Sequence, residues 1–244
     1  DDKLKQIDTL LGELNQYRAN ENYRITEALE IEYTYDSNRI EGNTLTLHET
    51  DMVVNKGITI AGKGLREHLE AINHKEAIDF IKDIAQKKEP ISERVLLDIH
   101  AIVLHSIDKD NAGKYRRVPV IISGSKHIPP QPYLLQPKMD ELFQWYEANK
   151  DSMHPVILAA QMHEKLVSIH PFIDGNGRTA RLLMNLILMQ HGYPIANIKG
   201  DNETRRRYYE TLEEASSGDN SAFVEFIEDV VIQSLTYYLK IIRG

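Results

Sequence analysis

Apolar residues recur at steps of three and four through most of this chain, and that spacing restricts it to packed amphipathic helices. Leu4, Ile7, Leu10, Leu11 and Leu14 open the pattern. A second helix is predicted from near Asn22 toward Arg39, where Glu41-Gly42-Asn43 supplies a stop signal. Thr46 and Glu49 read as a capping box for a helix toward Asn55, and a loop with Gly57, Gly62 and Gly64 follows. Leu65, Leu69, Ile72, Ile81 and Ile84 then mark a long helix, and Pro90-Ile-Ser92-Glu begins the next. Helical spacing returns over 137–149, 155–169, about 176–191, 203–215 and 221–242. Only 118–130 breaks it. There Val118, Val120, Ile121 and Ile122 favour strands, and Ser123-Gly-Ser-Lys126 reads as a turn, which predicts a hairpin. The expected fold class is all-α, a helical bundle with one small β-hairpin, forming a single domain over 1–244. Within it, N-terminal helices occupy 1–60, a core 90–215 and a last helix 216–244.

Composition narrows the function. A formal charge of −8 argues against a broad phosphate-binding face, so nucleic acid is not the expected partner, although a local basic pocket could still hold one nucleotide. No apolar run approaches the roughly 20 residues needed to cross a bilayer, and no leader pattern opens the chain, so no membrane association is expected. The absence of cysteine removes disulfides and thiolate sites and is compatible with a soluble, cytoplasmic protein. His163-Glu-Lys-Leu-Val167 lacks the second histidine of a zinc-protease motif, which argues against transition-metal catalysis. His100, His105, His154 and His163 are expected to be structural or exposed.

The segment His170-Pro-Phe-Ile-Asp-Gly-Asn-Gly-Arg178-Thr-Ala-Arg181 joins two apolar helical runs and opens the second. Gly175 and Gly177 let the backbone curl round an anion, and the N–H groups of the following helix start have no internal partners. Arg178 and Arg181, three apart, could grip successive phosphates. Asp174 suits a magnesium ion bridging phosphates. His170, titratable near neutral pH and beside this cradle, is the natural general base for a hydroxyl. Phe172 is expected to pin the loop in the core.

This segment resembles the signature of the Fic (Fido) family, His-Pro-Phe-x-Asp-Gly-Asn-Gly-Arg-x-x-Arg, at all nine specified positions. Chance agreement has odds of roughly one in a billion at average residue usage, so the likeness outweighs a mere glycine-rich loop. The resemblance implies the Fic fold, and transfer of AMP from ATP with Mg2+ to a Ser, Thr or Tyr hydroxyl of a target protein and of the chain itself. It implies His170 as base, Asp174 on the metal, Asn176 near the α-phosphate, and Arg178 and Arg181 on the outer phosphates. Gly175 after the aspartate fits the nucleotidyl-transferring branch rather than the Doc-type kinase branch.

Ser37-Asn-Arg-Ile-Glu41-Gly42 resembles the family's inhibitory motif in its N-terminal variant. Ser37 and Glu41 share a helix face, and Glu41 could pair with Arg181 and misplace ATP. Val118 to Pro130, with Val120, Ile121 and Ile122, resembles the family's flap, which docks the target by strand pairing. Tyr208 and Tyr209 resemble the closure of the adenine pocket, one of the two being expected in the core. Relatives with this inhibitory segment often pair, so a homodimer is an option. Two rival functions stay open: a de-AMPylase in which Glu41 aligns water, and a nucleotide-sensing interaction module. Transfer of UMP or phosphocholine is a further option.

Overall fold

The computed structural model describes all of residues 1–244 and contains ten α-helices: α1 Asp2–Gln16, α2 Tyr23–Ile40, α3 Leu47–Lys56, α4 Leu65–Gln86, α5 Glu93–Val103, α6 Leu135–Asn149, α7 Pro155–Ile169, α8 Asn176–Gln190, α9 Asn202–Ser216 and α10 Ser221–Arg243. Local chemistry sets their starts. Asn22 accepts from the N–H groups of Arg24 and Ile25, Ser92 from Val95, and Asp201 from Thr204. The Thr46/Glu49 capping box forms with both reciprocal bonds, at 3.1 and 2.9 Å.

Packing follows the apolar stripes. α7 and α8 form the central antiparallel pair, with α4 and α5 against α8, and α6 and α10 against α7. α1 lies along α10, α9 bridges α7 and α10, and α2 rests on α4 and reaches α8. One core runs from Ile7 to Ile242, and α8 is buried from Ala180 through Leu188 on every face. A satellite cluster of Leu45, Val53 and Ala71 seats α3. The site loop therefore leaves the most deeply held helix pair of the molecule.

The expected hairpin does not form. Ser125 N–H donates to the Ile122 carbonyl at 3.1 Å and Gly124 takes φ +79°, so the turn is made, but no residue of 118–130 is in a strand. Three prolines explain this. Pro119 interrupts one arm and Pro129 and Pro130 the other, removing donors where a ladder would continue. The second arm spends its remaining donors elsewhere: Lys126 N–H on Glu213 at 2.8 Å, and His127 N–H on the Ser125 hydroxyl at 3.0 Å.

Candidate active site

The loop between α7 and α8 is shaped before any ligand arrives. His170 ends α7 in the left-handed region (φ 51°), and Gly175 precedes α8 at φ 85°. A side chain at 175 would be strained by that backbone, although its Cβ would meet the His100 ring only at van der Waals distance. The Asn176 amide braces the turn, accepting from Phe172 N–H at 3.0 Å and donating to the Phe172 carbonyl at 2.9 Å. Its second amide N–H bonds nothing within the chain, and Asn176 also lines the cleft, where an α-phosphate contact was expected. Phe172 is fully buried and stacks on His100, with ring centroids 3.6 Å apart. His100 accepts from Gly113 N–H and donates to the Asp174 carbonyl at 2.8 Å, so this histidine is a brace of the loop.

The first N–H groups of α8, at 176–178, have no intrahelical acceptor, and no side chain caps this end. They present a fixed partial positive charge. The Glu41 carboxylate lies over Gly177, in the space a Cβ would fill. Glu41 sits at the C-cap of α2, and its Oε1 accepts from Arg181 at 2.8 Å. Arg181 is 1% exposed, and its guanidinium also donates to the Ser37 hydroxyl at 2.9 Å, the Ser37 carbonyl at 3.0 Å and the Tyr208 hydroxyl at 2.9 Å. Burial opposes its charge, yet Tyr208 and Glu41 outweigh burial and raise its pKa. Tyr208 is within 3.0 Å of His163, whose pKa burial and the Arg181 charge push down to about 3. His163 is thus a neutral acceptor at the end of a buried chain from Glu41.

Arg178, expected on the outer phosphates, is buried and pairs with Glu70 of α4 at 3.4 Å and Asp174 at 3.5 Å. Asp174 also pairs with Arg66 of α4 and accepts from Gly175 N–H at 2.8 Å. Burial alone would raise its pKa, but Arg178, the Gly175 N–H and Arg66 hold it below the usual carboxylate value. No three His, Cys, Asp or Glu side chains cluster to hold a metal by themselves. A single half-exposed carboxylate still fits Mg2+, which binds through one or two carboxylates shared with substrate phosphates and water.

His170 makes no side-chain hydrogen bond within the chain, and its buried Nδ1 is unpartnered. Burial first, then the Arg116 charge, lowers its pKa to about 4 against the opposing pull of Glu41, so the imidazole is neutral at pH 7. Arg116 sits under it, donating to the His170 carbonyl at 2.8 Å, the Val118 carbonyl at 2.9 Å and the Pro130 carbonyl at 2.6 Å. His170, Asn176, Gly177 and Glu41 open on a cleft of about 660 Å³, closed by Tyr208 and Tyr209 of α9 and by the 122–127 turn. Tyr208 is the core member of the tyrosine pair, and Tyr209 is 44% exposed at the rim.

The Fic/DOC family model matches residues 90–188, which include this loop and α8. A crystal structure of a Fic-domain-containing signalling protein from Bacteroides thetaiotaomicron superposes with a TM-score of 0.88 at 30% identity, covering 98% of this chain and 97% of that one. The chain belongs to the Fic/DOC family. Fic-1 of C. elegans, residues 134–508, has a TM-score of 0.86 at 30% identity, covering 99% of this chain and 73% of that one. A protein named protein adenylyltransferase Fic from Nematostella vectensis is 39% identical over 210 residues, 85% of this chain and 48% of its own length. The chain thus spans about half the length of the curated relatives it matches.

Sequence reasoning placed Ser37, Glu41, Asp174, Gly177, Arg181 and Tyr208 around one loop, and the fold brings them together. It named His100 and His163 only as structural or exposed, and assigned no role to Arg116, Arg66 or Glu70. The left-handed His170 backbone was equally hidden. Only Arg116, in Gly113-Lys-Tyr-Arg116 ahead of the flap, carried any signal. No helix is long and apolar enough to cross a membrane.

Proposed function

We propose that this chain transfers AMP from ATP to a Ser, Thr or Tyr hydroxyl of a target protein, with Glu41 restraining the reaction. One observation carries the reading: a neutral His170 and the unpaired N–H groups of α8 open on the same cleft. Relatives about 40% identical are named protein adenylyltransferase Fic, which supports the same chemistry. In this reading residues 90–215 are the catalytic core, 1–60 the restraining segment and 216–244 the closing helix.

The triphosphate would lie on the α8 N-terminus, where backbone N–H groups stabilise anionic oxygens at no cost in reorganisation. The target hydroxyl oxygen forms a bond to the α-phosphorus as its proton passes to His170, and the α–β bridge breaks to release pyrophosphate. Mg2+, held by Asp174 and phosphate oxygens, would neutralise charge on the leaving group. The exposed backbone of Val120, Ile121 and Ile122, whose N–H groups bond nothing within the chain, would pair with the target as an added strand. Glu41 over Gly177 competes for the anion seat and occupies Arg181, so the nucleotide cannot settle in line for attack.

Labelled ATP offered to wild type, Glu41→Gly and His170→Ala, alone and with lysate, tests this. Glu41→Gly is expected to label itself or a lysate protein strongly, and His170→Ala neither. A Glu41→Gly protein that transfers no label ends the enzyme reading. A second reading draws on the free Oε2 of Glu41, which faces the cleft and could align water to remove AMP from a modified target. Loss of AMP from a pre-modified target that depends on Glu41 would select it.

A further inference from the structure

The far end of the cleft contains a charged group that the transfer chemistry does not use. Glu164 of α7 lines it together with Val167, Tyr208 and Leu212. Its side chain is 6% exposed, and burial raises its pKa above the usual carboxylate range. Oε1 accepts from the Asn220 amide at 3.1 Å and lies 3.9 Å from Lys165. Oε2 accepts nothing within the chain and is not sealed from the cleft. An acceptor that opens on the cleft from a largely buried side chain is held in place and is free to take a donor from a bound ligand.

We propose that Glu164 reads the nucleobase, accepting the exocyclic amino group of adenine on Oε2. The proposal rests on the ATP reading above and adds the residue that selects the base. Spacing supports it. Glu164 lies six residues before His170 on one helix, about 9 Å along the axis at 1.5 Å per residue, which matches the reach of a nucleoside from its α-phosphate to the far edge of its base. Val167 and Leu212 add apolar lining to the same cleft. Asn220 sharpens the choice. Guanine presents two adjacent donors and needs both oxygens of a carboxylate, whereas here one oxygen is already engaged and a single donor fits.

The test is done in the Glu41→Gly background with ATP, GTP and purine riboside triphosphate, which is ATP without the amino group. Binding is measured by calorimetry and transfer by kcat/KM. Glu164→Gln keeps its carbonyl on Asn220 and turns an amide donor toward the base, so the ATP preference over purine riboside triphosphate is expected to fall about tenfold. Asn220→Ala frees the second oxygen, and GTP binding relative to ATP is expected to rise about tenfold, a gain that misfolding cannot imitate. A Glu164→Gln protein that retains its ATP preference within about twofold, well under one hydrogen bond, overturns the proposal while leaving AMP transfer intact. If the parent Glu41→Gly protein binds none of the three nucleotides, both readings fall.

Discussion

The 170–177 loop and the flap face the same cleft, yet one is braced at nearly every residue and the other is left open. Within 170–177, the Asn176 amide closes on Phe172, His100 stacks on that ring and holds the Asp174 carbonyl, and two residues take left-handed backbone. Across the cleft, the N–H groups of Val120, Ile121 and Ile122 bond nothing within the chain, Ile121 is 87% exposed, and the turn is tied by Glu213 and by His127 on the Ser168 carbonyl. Preorganised chemistry needs the first arrangement, since a misplacement of about 1 Å can cost 10²-fold in rate. Recognition of an extended partner suits the second, because unpaired edges are what a new strand completes. Arg116 is the joint between them, bound to the His170 carbonyl on one side and to Val118 and Pro130 on the other.

If the loop is where the chemistry sits, His170→Ala in the Glu41→Gly background should lower kcat by about 10³-fold with little change in ATP affinity. Equal activity in that variant would move the base elsewhere. Arg116→Ala should damage both regions at once: about 10²-fold in kcat from a loosened base, a higher target KM, and a loss of about 3 kcal/mol in urea unfolding. A variant in which only the target KM moved would show that the loop stands without its joint.

The pH profile separates the regions without mutation. As the proposed base His170 would act when neutral, and its pKa is lowered to about 4, so kcat/KM should hold well below the ordinary histidine value of 6.5 before falling. Arg116→Ala, by removing a lowering charge, should shift that acid limb upward. Stability responds in the same direction. His74 and His163 are held near 3 and His100 near 4 by burial, so below pH 6.5 the unfolded chain binds protons that the folded chain refuses. Unfolding free energy should therefore fall as pH falls, by about 1.4 kcal/mol per pH unit for each such histidine. The smallest effect is expected at the tip: Glu213→Ala should raise target KM by roughly threefold, a fraction of a kcal/mol, and leave ATP binding unchanged.

How much of this was legible depended on how far apart the interacting residues lie in sequence. Helix starts such as Asn22, Thr46 and Ser92 were readable because cap and capped group are two or three residues apart. The cradle at Gly175 and Gly177 was readable because it is a contiguous loop and helix start. The flap misled because β-favouring Val118, Val120 and Ile122 outweighed, on paper, the prolines that deny the ladder its donors. Partners such as Arg66 for Asp174 and Arg116 for His170 are set by how α4 and the flap base fold back, over separations of 108 and 54 residues that carry no local pattern. The Glu41–Arg181 pair crosses 140 residues and was anticipated only through a resemblance.

The carboxylate above Gly177 also behaves as a tethered ligand. A group held on its own chain has an effective concentration set by the stiffness of the tether, and here the tether is the last turn of α2, anchored through Ser37 to the very arginine it occupies. In the proposed reading, nucleotide would compete against that local concentration rather than against bulk solvent. On that proposal, fraying the last turn of α2 would lower the competitor's concentration without any substitution, and the helicity of 37–41 would act as a dial on apparent ATP affinity.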